Sequence, residues 1–530
     1  MRINLTIAIS MLLGFGLGAQ TVTWSDHVAP VVYKHCASCH RDGGIAPFSL
    51  MSYQEAAPQA SYMAWAVEQD IMPPWPPNPS YQPHAFQRVL SPAERQAIID
   101  WAAQGAPPGN LANAPSPPTF PDGGELVGTP DLVLQIPTYV SQATDHDDYR
   151  CFVFKSPVDV DRYVVAWEVV PGNRSIVHHV VAFKDDTGNC AARDEQTPEP
   201  GYVCFGGACQ DAEIFGAWAP GGNALVYPPG MGIKLNAGTD IVVQLHYPAG
   251  SVGQVDSTRI NLFFAPLGQP MREVKFATVA DPFFTNLNKP FVIPANQVKT
   301  FNTRLELNYG LDFSLLRVFP HMHLLGKSMK AWVKLPDGHI QPLIHIPEWD
   351  FEWQGAYAFP NLLKVPDGSV IETQFTYDNT TANPHNPHNP PQPVTYGEET
   401  TDEMLYLFLE YAIYQPGDEF IYLDSSFLTA THEPVHNPTH DIDWLAVRPN
   451  PVTAHFFVDY EIVAPGRYDL LLFDAIGRPI GYVFKSSLHQ PGRYRIPVEA
   501  ELSAGLYHAI LRSERGAQKA VKFVVLKNGG

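Results

Sequence analysis

Short runs of hydrophobic residues, broken by turn-forming residues, dominate most of the chain. Runs at 163–170, 241–247 and 405–413 are rich in β-branched and aromatic residues, which is typical of strands. Pro and Gly near residue 270 interrupt the series and predict two β domains, at 129–270 and 271–432. A further series of alternating runs predicts a last β domain at 445–530.

The region 21–108 has the pattern of a small helical unit instead. Ser91, Pro92 and Glu94 match the N-cap, first and third positions of a helix. Apolar residues then recur at helical spacing until Gly105, where we expect the helix to stop. A Pro- and Gly-rich linker is predicted at 109–128.

Composition agrees with a chain of several domains. Its 530 residues exceed one hydrophobic core, and 51 Pro with 39 Gly favour short strands over long helices. Hydrophobic residues make up 45% and charged residues 17%, which excludes a wholly disordered chain. The net charge of -20 disfavours binding to nucleic acid, whose phosphates require a basic surface.

The first twenty residues predict export. Arg2 precedes an apolar run at 7–17, and Gly18 and Ala19 supply small residues for cleavage, as in a secretory signal peptide. The alternative is a buried N-terminal helix. No later stretch reaches about 18 apolar residues, so we expect no integral membrane segment. Export to an oxidising compartment makes disulfides possible for the six cysteines.

Cys36, Cys39 and His40 form the Cys-x-x-Cys-His pattern that attaches haem in c-type cytochromes. The two thiols, one helical turn apart, bond to the haem vinyl groups, and the adjacent imidazole binds the iron. A redox Cys pair or half of a zinc site also uses Cys-x-x-Cys, but neither needs the histidine. The sequence therefore predicts covalent haem c in the region 21–108.

Met72 is the candidate for the second axial haem ligand. It lies in the Met-Pro-Pro-Trp stretch 72–75, and the region resembles small cytochrome c domains that carry this element. Met63 and Met51 are competitors, each expected in a helix core. A His/Met ligand pair raises the reduction potential and suits electron transfer.

Histidine spacing carries little information by itself, because 20 His in 530 residues give any fixed spacing between two His roughly once by chance. The ordered set of candidates is more informative. It consists of His178, His179, His246, His321, His323 and Met404.

The stretches around this set, 176–180, 244–248, 321–327 and 401–404, resemble the two-domain, ascorbate-dependent copper monooxygenases, which include peptidylglycine α-hydroxylating and dopamine β-monooxygenase. The resemblance covers roughly residues 130–430. It implies two antiparallel, jelly-roll-like β-sandwiches and two copper ions. One ion, at His178, His179 and His246, would store an electron. The other, at His321, His323 and Met404, would bind O₂ and remove hydrogen from a substrate C–H bond.

Coordination chemistry is compatible with these two sets. His321 and His323 are two residues apart, so on one regular strand both side chains would project from the same face. Met404 would add a soft thioether, which favours Cu(I). His178 and His179 are adjacent, so sharing one ion requires a local departure from strand geometry or coordination through Nδ1.

Four further cysteines lie in the first β domain. Their count alone allows three pairings. The resemblance implies the Cys151–Cys204 and Cys190–Cys209 disulfides.

The substrate pocket departs from that of the peptide-hydroxylating members. Those members carry Arg, Asn and Tyr where this chain has Phe319, Tyr406 and Phe408. A peptide carboxylate would lack its charge-assisted partner, and Arg317 could replace it only with a shifted backbone. We therefore expect an apolar or aromatic small-molecule substrate and not a peptidylglycine.

The C-terminal region 445–530 resembles the sorting domain of the type IX secretion system of Bacteroidetes. The matching stretches are Pro-Asn-Pro at 449–451 and Ala-Gly-Leu-Tyr at 504–507. An immunoglobulin-like accessory module is the alternative. In both cases we expect an immunoglobulin-like β-sandwich without chemistry of its own.

The sequence thus predicts a multidomain, mainly β copper monooxygenase with a fused all-α cytochrome c domain, secreted or attached to the cell surface. Its expected partners are a small-molecule substrate, O₂, an external electron donor (ascorbate or a redox protein) and the secretion machinery. The rival hypothesis is a non-catalytic haem and copper electron-transfer or copper-binding surface protein. A structural adhesin would leave the ordered His and Met set unexplained.

Overall fold

The computed structural model describes residues 21–530, except 121–123, 127–128, 206, 229, 422, 424–440, 453–455, 464–465, 476, 490–491, 499–501 and 527–530. The predicted signal peptide at 1–20 lies outside the described residues. The prediction of a mainly β chain is confirmed. Among the described residues, no helix has the length and apolar character needed to cross a membrane.

The chain forms two compact units. One contains residues 21–42, 46–73 and 90–118, and the other contains residues 43–45, 74–89 and 119–530. Residues 74–89 therefore belong with the β unit, although they lie between two helices of the helical unit in the sequence. Their contacts within the β unit include Trp75 edge-on to Tyr357, and the Ala85 N–H donating to the Ala358 carbonyl.

The helical unit packs around Trp24 and Trp101, both fully buried. Ser91 and Glu94 form the predicted capping box, and the last helix ends before Gly105. The α-helices are α1 (Ala29–His35), α2 (Tyr53–Ala56), α3 (Ala60–Glu68) and α4 (Pro92–Ala103). Single helical turns occur at Trp24–Val28, Ala57–Gln59 and Leu111–Asn113.

The first β domain contains two large, mainly antiparallel sheets that enclose a hydrophobic core, with β13 parallel to β9. The sheets have the orders β1-β12-β4-β9-β13, with β8 beside β4, and β6-β3-β10-β5-β7. Helix α5 (Asn189–Asp194) follows β5. The strands are β1 (Leu132–Gln135), β2 (Tyr139–Val140), β3 (Asp148–Phe154), β4 (Arg162–Val170), β5 (His179–Asp185), β6 (Tyr202–Val203), β7 (Glu213–Trp218), β8 (Leu225–Val226), β9 (Met231–Leu235), β10 (Asp240–Tyr247), β11 (Val255–Asp256), β12 (Arg259–Phe264) and β13 (Arg272–Glu273).

Two disulfides, Cys151–Cys204 and Cys190–Cys209, stabilise this domain. They have the pairing that the family resemblance implies. Both lie at the outer side of the β10 sheet, in a small core with Phe183, Tyr202 and Val242.

The second β domain repeats the arrangement with two four-stranded sheets, β14-β23-β17-β20 and β16-β21-β18-β19. A turn of 3₁₀ helix, Asp418–Phe420, follows the last strand. The strands are β14 (Lys275–Ala280), β15 (Val292–Ile293), β16 (Gln297–Glu306), β17 (Phe313–His321), β18 (Gly326–Lys334), β19 (Ile340–Ile346), β20 (Tyr357–Val365), β21 (Val370–Asn379), β22 (Val394–Thr395) and β23 (Tyr406–Ile413).

The two β domains share buried contacts. Leu316, Phe319 and Ala412 of the second domain belong to the same core as Trp167 of the first. Next to them, a buried ion pair joins Arg317 to Glu410, and Glu410 also accepts a hydrogen bond from Tyr227 of the first domain. The domains therefore meet through packed side chains.

The C-terminal region forms a three-stranded sheet, β24-β25-β28, and a four-stranded sheet, β27-β26-β29-β30, around a separate core. The strands are β24 (Ile442–Arg448), β25 (Phe456–Ile462), β26 (Gly466–Asp474), β27 (Pro479–His489), β28 (Gly492–Val498), β29 (Gly505–Ser513) and β30 (Gln518–Val525).

Candidate metal centres

His178, His179 and His246 converge because of strand register. His246 on β10 is paired with His179 on β5. His178 precedes β5, and its backbone N–H donates to the His246 carbonyl. The Nδ1 atom of His179 lies 3.3 Å from that of His178 and 3.2 Å from that of His246. The ligand atoms of all three lie within 4.8 Å of one another, so together they can hold a metal ion.

Tyr149 and Asp147 hold His246 in place. The Tyr149 ring, next to His246 across β3 and β10, stacks on it at 4.3 Å. Asp147 Oδ2 lies 3.3 Å from His246 Nε2, an ion-pair contact that is not aligned as a hydrogen bond. Burial alone would raise the pKa of Asp147, but contacts with His246, Thr400 and the Ala249 N–H hold that pKa below its usual range. A carboxylate on the distal nitrogen is a common support of metal-binding histidines.

Asp147 was not among the candidates from the sequence. Its place next to His246 depends on the pairing of β3 with β10, which are far apart in the chain. No local pattern around Asp147 indicates this contact.

His321 and His323 form a second pair, with ring centroids 5.1 Å apart. The expectation that both lie on one regular strand is wrong, because β17 ends at His321 and His323 lies in the following loop. His321 Nδ1 lies 2.6 Å from Gln354 Oε1, and His323 Nδ1 lies 3.2 Å from the Asp402 carbonyl oxygen. Both acceptors are oxygens, so Nδ1 carries the proton and Nε2 is available to a metal on each ring.

Glu403 binds the segment of chain that follows His321. Its buried carboxylate accepts hydrogen bonds from the backbone N–H groups of His323, Leu325 and Met404. Burial raises the pKa of Glu403 to about 8, although these bonds oppose the shift. His323 and Met404 bind the same carboxylate oxygen, so Glu403 holds their backbones side by side. The sequence analysis missed both Glu403 and Gln354.

Burial favours the neutral, metal-binding form of four of these imidazoles, those of His178, His179, His321 and His323. It lowers the pKa of His178 to about 3 and that of His321 to about 4. Burial and the neighbouring histidines also lower the pKa values of His179 and His323.

An aromatic surface adjoins His321. Tyr406 on β23 is paired with His321, and Phe408 is paired with Phe319. The Tyr406 and Phe408 rings are stacked at 5.3 Å, and Phe276 covers Phe408 at 5.3 Å. Arg317 offers no cation to this surface, because it is buried against Glu410 and the Val226 carbonyl.

The local geometry of Cys36, Cys39 and His40 fits covalent attachment of haem. Cys36 and Cys39 are not in a disulfide, and the N–H groups of Cys39 and His40 donate to the Cys36 carbonyl in one helical turn. His40 Nδ1 lies 3.1 Å from the Phe48 carbonyl oxygen, which leaves Nε2 available to iron. Burial raises the pKa of Cys36 to about 12, whereas reactive redox thiols have lowered values.

A series of aromatic side chains in contact with one another begins next to His40. Phe48 packs on His40 at 4.7 Å and meets Tyr62 at 6.5 Å, and Tyr62 stacks on Trp65. Tyr62 and Trp65 are 55% and 46% exposed, so they offer an apolar surface on which a porphyrin can pack.

The methionine candidates differ in burial. Met63 is buried in the helical core, as expected. Met51 lies in the loop before α2 and not in a helix, contrary to expectation. Met72 is half-buried, and its N–H donates to the Ala66 carbonyl at the end of α3.

Comparison with known proteins shows which protein family this chain is similar to. Residues 134–251 match the family model of the copper type II ascorbate-dependent monooxygenase N-terminal domain. The DBH-like monooxygenase protein 1 of Gallus gallus is 23% identical over 256 residues, which are 44% of this chain and 40% of that protein. The peptidyl-glycine alpha-amidating monooxygenase B of Xenopus laevis is 26% identical over 151 residues, 27% of this chain and 16% of that protein. The chain thus spans less than half the length of these relatives.

A solved structure of PorZ, a surface component of the type-IX secretion system of Porphyromonas gingivalis, matches 23% of this chain and 15% of its own at 14% identity. Its TM-score of 0.13 is too low to carry an argument about fold. The family model and the two monooxygenase relatives therefore support one conclusion, that the first β domain is similar to the N-terminal domain of the copper type II monooxygenase family.

Proposed function

We propose that this chain is an exported copper monooxygenase that hydroxylates a C–H bond of an apolar or aromatic small molecule. The observation that supports the proposal is the cluster of His178, His179 and His246, whose ligand atoms lie within 4.8 Å of one another, together with the neighbouring pair of His321 and His323. In the reaction, the substrate, O₂, two electrons and two protons give an alcohol and water.

The residues have separate roles. His178, His179 and His246 would hold one copper ion, and His321, His323 and Met404 would hold the other. Copper, when bound, supplies O₂ activation at the thioether-containing set and one-electron storage at the all-imidazole set. Gln354 and Asp402 orient the rings of His321 and His323, and Asp147 and Tyr149 orient that of His246.

The substrate would bind against the aromatic surface of Tyr406, Phe408 and Phe276. This surface offers ring faces and the Tyr406 hydroxyl, which contacts the Tyr396 hydroxyl. Among the described residues, Phe319 is apolar and Arg317 is paired with Glu410, so neither supplies this surface with a cation for a peptide carboxylate. We therefore expect no useful hydroxylation of a peptidylglycine, and turnover of such a peptide would contradict this assignment.

The helical unit would deliver the electrons. Cys36 and Cys39 would attach a haem, with His40 and Met72 as axial ligands, and ascorbate or a redox protein would reduce it. Met72 is joined through Pro73 to residues 74–89, which belong to the β unit. This covalent link supports a role of the haem unit as donor to the same chain.

Export would bring the protein to the cell surface or the medium. The two disulfides support this, because disulfides persist in oxidising compartments outside the cytosol. We propose that residues 1–20 direct export and that the sheets of 445–530 are recognised by type IX secretion machinery.

Replacement of Met404 tests the oxygen-binding role. In Met404→Ile, hydroxylation should fall at least 100-fold, because an alkyl side chain cannot bind Cu(I), while the haem spectrum stays unchanged. Met271→Ile, outside both donor sets, is the matched control and should retain activity. Full activity in Met404→Ile would refute the assignment.

Rapid mixing tests the electron donor. Protein with reduced haem and reduced copper is mixed with O₂ and substrate, and the haem spectrum is followed. We expect haem oxidation during turnover. If the haem stays reduced while alcohol forms, the haem is not the donor. If O₂ consumption never depends on any organic compound, the protein is a haem and copper carrier and not a monooxygenase.

A further inference from the structure

A chain of three hydrogen-bonding side chains ends at the aromatic surface next to His321. The Tyr396 hydroxyl donates to Glu398 Oε1 at 2.8 Å, and the Tyr406 hydroxyl lies 3.3 Å from the Tyr396 hydroxyl. Tyr406 lies directly across from His321 in the pairing of β23 with β17, so both side chains project from the same face of the sheet. The chain of hydroxyls therefore opens on the face where the substrate would bind.

The number of hydrogens fixes the direction of these bonds. A phenol has one hydrogen to donate, and burial raises the pKa of Tyr396 and that of Tyr406, so both keep this hydrogen at neutral pH. Burial also raises the pKa of Glu398, but the bond from Tyr396 opposes this shift and favours the carboxylate, which can only accept. Because Tyr396 gives its hydrogen to Glu398, Tyr406 must give its own to Tyr396. The Tyr406 oxygen then presents only lone pairs to the substrate.

Backbone and ring contacts hold Tyr396 in place. The Glu403 N–H donates to the Thr395 carbonyl, and the Gly397 N–H donates to the Glu403 carbonyl, which fixes the backbone on both sides of Tyr396. Phe283 packs edge-on against the Tyr396 ring at 4.8 Å. Tyr396 is thus held by its backbone and by one side of its ring, so its hydroxyl keeps the same two partners.

We propose that Glu398 and Tyr396 are positioning residues that make the Tyr406 hydroxyl a hydrogen-bond acceptor, and that the substrate is an apolar molecule with a hydrogen-bond donor, either a hydroxyl or an ammonium group. This inference rests on the proposed function, since it names the substrate class of that site. A substrate with an ether oxygen at this position would meet lone pairs and lose its bonds to water without replacement. A site that hydrogen-bonds its ligand rejects analogues without the matching group more strongly than an apolar pocket does.

Two naphthalenes of similar shape test the acceptor. 2-Naphthol carries a donor and 2-methoxynaphthalene carries only an acceptor, and equilibrium dialysis measures their binding apart from turnover. Full-length, haem-loaded protein should bind 2-naphthol about 10-fold more tightly or better. The 2-naphthylmethylammonium cation distinguishes an ammonium donor from a hydroxyl donor. Such a preference for either donor over the ether supports the proposal, and equal binding of all three compounds overturns it.

Two variants test the positioning role. Tyr396→Phe frees the Tyr406 hydroxyl to donate, and Glu398→Gln supplies an amide that can donate and so reverse the chain of bonds. In each variant the preference for a donor should fall to about threefold or less, while the ether binds at least as tightly as to the wild type. Tyr414→Phe, which removes another tyrosine–glutamate bond, that to Glu419, is the matched control and should keep the wild-type preference. If one variant fails to fold, the other decides, and an unchanged preference in a folded variant overturns the positioning role.

These outcomes separate the acceptor from the proposed reaction. A donor preference in a protein that hydroxylates no compound overturns the proposed function and not the acceptor. Hydroxylation of an apolar compound together with equal binding of 2-naphthol and its ether overturns only this inference. If no naphthalene binds, both this inference and the substrate surface of the proposed function are wrong.

Discussion

The imidazole rings of the two donor sets present different nitrogen atoms. The three Nδ1 atoms of His178, His179 and His246 face one another, whereas His321 and His323 direct Nδ1 to oxygen acceptors. A hydrogen bond at one ring nitrogen determines which nitrogen remains for a metal. The neighbours of each ring therefore matter as much as the ring itself.

Loss of the contact between Gln354 and His321 should weaken copper binding at the set of His321, His323 and Met404, and not at the other set. In Gln354→Leu, His321 loses the acceptor that orients it, and copper affinity at this set should fall about 10–100-fold. Copper titration followed by spectroscopy would measure the change.

Gln341→Leu is the control for this variant, because the Gln341 side-chain amide donates to the carbonyl of its neighbour Pro342 and not to a ring of either histidine set. The first set of His178, His179 and His246 should bind copper as in the wild type. Unchanged affinity at both sets in Gln354→Leu would show that Gln354 does not position His321.

Strand β10 organises the first donor set. It lies between β3 and β5, so Tyr149, His246 and His179 stand side by side across three strands. Cys151 on β3 is two residues from Tyr149, and its disulfide to Cys204 holds the outer edge of the same sheet. The disulfide thus stabilises the element that carries the stack on His246.

The two disulfides should differ in their effect on stability. The Cys151–Cys204 bridge spans 53 residues and the Cys190–Cys209 bridge spans 19. Loop-closure entropy predicts a loss of about 4 kcal/mol for Cys151→Ser/Cys204→Ser and about 3 kcal/mol for Cys190→Ser/Cys209→Ser. Chemical unfolding of the two double variants would measure both values. A larger loss for the shorter loop would show that packing, and not chain entropy, dominates.

The junction of the β domains depends on a buried charge pair. Arg317 and Glu410 are nearly inaccessible, and Glu410 also accepts the Tyr227 hydroxyl from the first domain. A buried pair contributes little net stability compared with an apolar replacement, but removal of one partner leaves an uncompensated charge.

Arg317→Met should destabilise the protein by about 3–5 kcal/mol, because Glu410 stays buried without its partner. Arg317→Met/Glu410→Gln should recover most of the loss, since the amide is neutral and still accepts from Tyr227. Arg304→Met, which removes an exposed pair with Glu372, is the control and should cost at most about 1 kcal/mol. Thermal and chemical unfolding would measure the three variants. No recovery in the double variant would contradict this account.

Local patterns predicted the elements well. The runs at 163–170 and 241–247 lie in β4 and β10, the run at 405–413 overlaps β23 from its second residue on, and the capping box opens α4. These features depend on neighbours in the chain, because side-chain alternation and helix capping act over a few residues. The expectation for His323 failed because the strand ends at His321, and the His323 N–H then donates to Glu403, 80 residues away in the chain.

The amino-acid sequence alone indicated which side chains are candidate ligands of copper and haem, since the residue types and their spacing are local properties. Only the folded molecule brings in Asp147, Gln354 and Glu403 as their supports. It also decides that His179 and His321 are neighbours. These contacts join residues far apart in the chain, and their pairing is selected by strand register and core packing, which no short stretch of sequence encodes.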